Sequence, residues 1–209
     1  MSKLERSNRR PKNVQPVWLV ICEGKEKEYF DNLKCIFRVA VDVKPVNYGG
    51  GPRYIDDSLF EGVKKLIEDA RVGSTAGDGE VNKIFLVWDM DRVSSKKVSK
   101  ADIQTAIDRF ESIQVESILS NPAFEIWILW HLVEYNAKIN TEEVTSILAR
   151  QLGKTGHIKA HQVPWKMLES RIDTANTRAK AKDNPQKKIA EKPNPISRMH
   201  LFVDLIKAQ

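Results

Sequence analysis

Two stretches of this chain are apolar without interruption, VWLVIC at Val17–Cys22 and IFLVW within Lys83–Trp88. A run with no polar alternation suits a strand buried on both faces, as in the interior of a parallel sheet. Between them the period changes. Tyr29, Phe30, Leu33, Ile36 and Phe37 recur at helical spacing, which predicts a helix over Glu26–Val39. Val41–Tyr48 reads as a second strand, broken by the GGGP stretch at 49–52. A helix to about Arg71 follows, with Leu59, Val63, Leu66 and Ile67 on one face, and 73–82 reads as loop. After the third strand, Ser99–Ile113 is a helix with Ser99 and Asp102 spaced as a capping box. Val115–Leu119 is a short strand, and Pro122–Tyr135 an apolar helix with proline in its first turn.

Strand and helix therefore alternate as in a parallel α/β sheet. Beyond about Asn140 only helices are expected: Thr141–Leu152, a long polar Val163–Lys182, and an amphipathic Ile196–Lys207 after a Pro- and Lys-rich loop at 183–195. This gives a flexible basic arm at 1–15, an α/β core at 16–137 and a helical extension packed on it at 138–209. The two cysteines, Cys22 and Cys35, lie in or beside apolar sequence and read as buried thiols. No apolar run approaches the length of a membrane span and the N-terminus lacks a hydrophobic leader, so a cytoplasmic protein is expected.

The net charge of +6 is unevenly spread. Residues 1–15 carry +4, residues 16–149 carry −6, and residues 150–192 carry +7. An acidic body can hold cations and basic flanks can attract phosphates. Within 150–192, Lys159, Lys166, Arg171, Arg178, Lys180 and Lys182 are candidates for contacts to a nucleic-acid backbone.

The apolar runs end in acid: Glu23 after the first, Asp89 and Asp91 after the third strand. In a parallel sheet, ligands bind outside the carboxyl ends of the strands. Carboxylates gathered there repel one another, and a hard divalent cation with oxygen ligands relieves the repulsion. Such a cation suits phosphoryl transfer or phosphodiester cleavage. The bland alternative is that strand-end acids only cap the following helices. The GGGP stretch lacks the Lys-Ser/Thr of a phosphate loop and reads as a turn. His131, on an apolar helix, reads as a hydrogen-bonded core residue, and His157 and His161 lack the further ligands that a zinc site needs.

The Glu-Gly after strand one and the Asp-x-Asp after a later strand resemble a TOPRIM domain. More narrowly, ICEGKEKEYFDNLK, SNPAFEIWILWH (Ser120–His131) and NPISRMHLFVDLI (Asn194–Ile206) resemble the RloB-like family, from about Trp18 to Ile206. The resemblance implies a TOPRIM-like nuclease acting in bacterial defence against phage, Mg²⁺-dependent with Mn²⁺ as the alternative, beside an AAA-type ATPase. It implies Glu23 as general base or metal ligand, Asp89 and Asp91 as metal ligands, and Ser120 and Glu125 on the same rim as a second metal site. Lys154, between two glycines, is the candidate for neutralising the scissile phosphate. Glu26 and Glu28 compete as the second N-terminal acid, and the stretch after Asp-x-Asp, RVSSKKVSK, is basic where the family is often acidic. DNA, tRNA or another RNA is open as substrate, as is a homo-oligomer. The second reading is a non-catalytic subunit that binds nucleic acid or the ATPase.

Overall fold

The computed structural model describes residues 17–46, 57–74, 81–90, 99–184, 186–188 and 193–209. The expected basic arm, the GGGP stretch, Asp91 and most of the basic stretch after it lie outside them. A five-stranded sheet forms from β1 (Val17–Cys22), β2 (Val41–Pro45), β3 (Val81–Asp89), β4 (Val115–Asn121) and β5 (Ile196–Ser197). Its order is β2-β1-β3-β4-β5. The first four strands run parallel, and β5 is antiparallel to β4.

The uninterrupted apolar runs have a direct cause. Along β1, Trp18, Val20 and Cys22 enter one hydrophobic cluster, while Leu19 and Ile21 enter another on the opposite face. Along β3, Phe85 and Val87 share the first cluster, and Ile84, Leu86 and Trp88 the second. Successive strand side chains point to opposite faces, so a strand covered on both sides has no polar position to spare.

The second face is covered by helices α2 (Asp57–Ser74) and α3 (Lys100–Glu111). Ser99 caps α3, and the capping box with Asp102 is formed. The first face carries α1 (Lys27–Phe37), α4 (Glu125–Leu132), α5 (Thr141–Gln151), the single turn α6 (Trp165–Leu168), α7 (Ile172–Lys182) and α8 (Met199–Lys207). Residues 139–206 thus share their core with the strands. Helix α4 is buried all round, as its unbroken apolar sequence requires, and packs against α5, α6 and α7. Phe202 of α8 lies 5.1 Å from Phe30, 5.1 Å from Phe85 and 5.7 Å from Trp18 between ring centroids. No helix among the described residues is long and apolar enough to cross a membrane.

Several boundaries differ from expectation. β4 extends to Asn121 because Ser120 and Asn121 pair with β5, so Pro122 falls in the turn and α4 begins only at Glu125. The helix expected over Val163–Lys182 is interrupted by a 3-10 turn at Glu169–Arg171, where no residue is buried. Ile196 and Ser197 are strand, not helix. Helix α2 runs on to Ser74 and β3 begins at Val81, so both ends of the expected loop at 73–82 belong to regular elements, and 75–80 lie outside the described residues. Both cysteines are free. Cys22 is buried, and burial pushes its thiol up to about 12. Cys35 is exposed, against expectation, because it sits off the buried stripe of α1.

Candidate functional site

The strand order places β2 on one side of β1 and β3 and β4 on the other. The carboxyl ends of β1 and β3 therefore flank the point where the order reverses, the usual place for a ligand in an open α/β sheet. Glu23 is the first residue past β1, and Asp89 is the last of β3. Both are partly buried.

The backbone around Glu23 is shaped by Gly24, which has φ +87°. A Cβ there would meet only Pro45 Cβ at 3.5 Å, so the need for glycine is conformational, not steric. The turn is held from both sides. Cys22 O accepts from Val46 N–H at 2.7 Å, and Gly24 O from Lys27 N–H at 3.4 Å. Glu26 then opens α1, its carbonyl accepting from Tyr29 N–H at 3.0 Å. Glu26 is 7% exposed, whereas Glu28 faces solvent. The two competing acids thus differ in burial. Glu26, Tyr29, Phe30 and Leu33 are all buried and lie at i, i+3, i+4 and i+7, one helical stripe. That phase is visible in the sequence and could have distinguished the two.

Asp89 continues the series Phe85, Val87 on the α1/α4 face of the sheet. It is the register partner of Ser120, and Met90 N–H donates to Ser120 O at 2.8 Å, so pairing runs past it. Ser120 is fully buried, and its hydroxyl shares a hydrogen bond with Ser197 Oγ at 3.0 Å. That bond joins β4 to β5.

Glu125, at the start of α4, is 6% exposed. Its Oε1 accepts from Ala160 N–H at 3.3 Å and lies 3.9 Å from Lys159 Nζ. A buried carboxylate needs such partners. Here they come from the segment that crosses α1 on its way to α6. Lys154 lies in the exposed turn after α5, between Gly153 at φ +65° and Gly156 at φ +83°, with its N–H donating to Ala149 O at 2.8 Å. Of the basic candidates, Arg178 Nη1 donates to Trp130 O, and Lys180 pairs with Asp204 at 2.7 Å. Lys166 and Arg171 are exposed, and Lys182 is half-buried. His157 bonds Thr145 Oγ1 at 3.0 Å, and His161 is exposed.

His131 is a buried, hydrogen-bonded core residue, as expected, but the relay it forms was not foreseen. His131 Nδ1 is 2.9 Å from Trp127 O, so that nitrogen donates. Nε2 is then the acceptor, and Tyr29 O–H donates to it at 3.1 Å. Burial holds the His131 imidazole down to about 4 and raises the Tyr29 phenol above its ordinary range. Tyr29 also packs edge-on to Trp165 at 5.3 Å. The N-terminal and middle blocks of the sequence are joined by this bond, as Phe202 joins the C-terminal block to the sheet.

Among the described residues no three His, Cys, Asp or Glu side chains converge as a metal-holding group. Glu23 and Asp89 supply two carboxylates at the switch point, and Asp91 lies outside the described residues. Hard oxygen donors of this kind fit Mg²⁺, which one or two carboxylates suffice to hold when waters and phosphates complete the shell.

A protein-family model described as RloB-like protein matches residues 18–206, nearly the whole chain. The chain belongs to the RloB-like family. No curated protein and no solved structure matches it.

Proposed function

We propose that this member of the RloB-like family is a Mg²⁺-dependent nuclease of TOPRIM type, an effector of bacterial defence against phage that works with a partner ATPase. The observation that supports it best is the position of Glu23 and Asp89 at the carboxyl ends of neighbouring strands β1 and β3, where the strand order reverses. Carboxylates at the ends of adjacent strands, at this point of an apolar sheet, suit an ion-binding site better than a structural role.

In this reading Glu23, Asp89 and Asp91 would hold the cation. When bound, the ion would orient the phosphate, activate water at neutral pH and offset developing charge. Buried Glu26 would add negative charge behind Glu23. Lys159, steadied by Glu125, and exposed Lys154 would offer positive charge to a phosphate approaching over α4. Lys166 and Arg171 would track the backbone without reading bases.

The test is cleavage of plasmid DNA, single-stranded DNA and total tRNA with Mg²⁺, Mn²⁺ or EDTA, with and without a candidate partner ATPase. The expected result is metal-dependent cleavage that falls to background in Asp89→Ala while thermal unfolding stays cooperative. Wild-type cleavage by an Asp89→Ala, Asp91→Ala double variant would overturn the site. Binding without cleavage in every arm would instead support a non-catalytic subunit that holds nucleic acid or the ATPase.

A further inference from the structure

Beside the carboxylate edge lies a groove of about 650 Å³, a volume within the range of small-ligand sites. Asn121, Pro122, Lys138, Thr141, Glu142 and Asn194 are among the residues that line it. Its place in the fold is well defined. Asn121 directly follows Ser120, the register partner of Asp89. Adjacent strands are about 4.8 Å apart and successive Cα atoms 3.8 Å, so the groove wall begins roughly 6 Å from the Asp89 backbone. It also lies on the same side of the sheet as Asp89, because neighbouring Ile139 and Val144 belong to the cluster that holds Phe85 and Val87.

The chemistry of the lining discriminates between ligands. Asn194 is committed to structure: its Nδ2 donates to Ile139 O at 2.7 Å and to Asn121 Oδ1 at 3.1 Å, and its Oδ1 accepts from Ile139 N–H at 2.9 Å. That leaves Asn121 with its carbonyl oxygen occupied and its amide hydrogens directed to no partner among the described residues. The N-terminus of α5 is already capped, with Asn140 and Glu143 satisfying each other's backbone N–H groups, and offers little to an anion. Glu142 and Glu143 make the wall acidic, and Lys138 is the cation lining it. Such a wall repels a phosphate backbone. It suits a neutral planar ring that presents both donors and acceptors, since carboxylates accept from exocyclic amino groups and amides pair with base edges.

We propose that this groove takes one unpaired base of the nucleic-acid substrate, next to the phosphate held at the carboxylate edge. The inference rests on the nuclease reading and narrows it to single-stranded or looped nucleic acid. A base can enter only when it is free of its partner strand, and a paired duplex cannot offer one without unstacking.

The test fills the groove. Thr141→Trp and Lys138→Trp are made separately in the otherwise wild-type chain, where Ca²⁺ in place of Mg²⁺ leaves the carboxylate edge intact without supporting cleavage, and their folding is checked by thermal unfolding. Binding of a short fluorescein-labelled single strand and of its blunt duplex is read by anisotropy with Ca²⁺ present. Two variants are used because Lys138 is exposed and tolerates replacement even if Thr141→Trp disturbs α5. The expected result is a loss of about tenfold or more for the single strand, the scale of one lost base contact, with duplex affinity unchanged. Equal loss for both substrates, or no loss in a folded Lys138→Trp variant, would overturn the groove while leaving the nuclease reading intact. Absence of nucleic-acid binding by the parent protein would overturn both.

Discussion

Glu26 and Glu28 are one dipeptide step apart, and the fold treats them oppositely. Glu26 falls on the apolar stripe of α1 and is buried beside the Glu23 turn, while Glu28 points outward. The charge of Glu26 acts close behind Glu23 with little solvent to screen it, whereas that of Glu28 is screened by water. We therefore expect Glu26→Gln to lower the proposed nuclease activity at least tenfold and Glu28→Gln to leave it within about twofold, measured side by side on the same substrate. Equal effects would sink the distinction. His131 makes a second residue-scale prediction. Its pKa is about 4 in the folded chain against an ordinary 6.5. Between those values the unfolded chain binds a proton that the folded chain refuses, so its contribution is complete above 6.5 and is lost as pH falls towards 4. From pH 7 to pH 5 the loss should be about 2 kcal/mol. Urea unfolding of the wild type and of His131→Gln at both pH values reads it as a steeper fall in the wild type, and parallel falls would refute it.

At the scale of elements, the C-terminal segment is fastened to the sheet by polar locks as well as by Phe202. Asp183, just past α7, lies 3.8 Å from Arg198 Nε and 3.2 Å from His200 Nε2. Arg198 Nη1 in turn donates to Ser117 O of β4 at 3.2 Å. Removing the shared carboxylate would take from the partly buried guanidinium its ion-pair partner at 3.8 Å, leaving only the longer-range charges of Glu116 and Glu111. Asp183→Ala should therefore cost about 3 kcal/mol, well above a surface pair, as read by the shift in the denaturation midpoint. A cost under about 0.5 kcal/mol would mean that the lock behaves as an exposed pair. The same elements show what a sequence can and cannot tell. The double-sided strands β1 and β3 were legible because burial on both faces dictates composition, and the α3 cap because Ser99 and Asp102 are local. With the strands placed, Glu23 and Asp89 at their ends were legible too. Strand β5 was not, since two residues carry no period and its existence depends on pairing with β4, 77 residues away at Ser120 and Ser197. The partners of Glu125 were hidden for the same reason, because Ala160 approaches only after the chain has passed through α5.

At the scale of the whole molecule, the question is what the +7 of residues 150–192 accomplishes. The fold divides these cations into two kinds. Arg178 donates to the carbonyl of Trp130 near the end of α4, and Lys180 pairs with Asp204 of α8, so both tie helices together. Lys154, Lys166 and Arg171 stand exposed on the same side of the sheet. Charges of the second kind act on a polyanion through counterion release, which leaves a mark in salt dependence and little in stability. Lys166→Ala and Arg171→Ala should each reduce the slope of log affinity against log salt by about one, without lowering the melting temperature. Arg178→Ala should do the reverse. It would free a carbonyl in the buried helix α4, cost about 1–2 kcal/mol, and leave the salt slope nearly unchanged. Measuring both quantities on all three variants separates a binding surface from a structural one. If Arg178→Ala lowers the slope as much as Lys166→Ala does, the division fails, and the basic segment acts as one continuous track for the substrate.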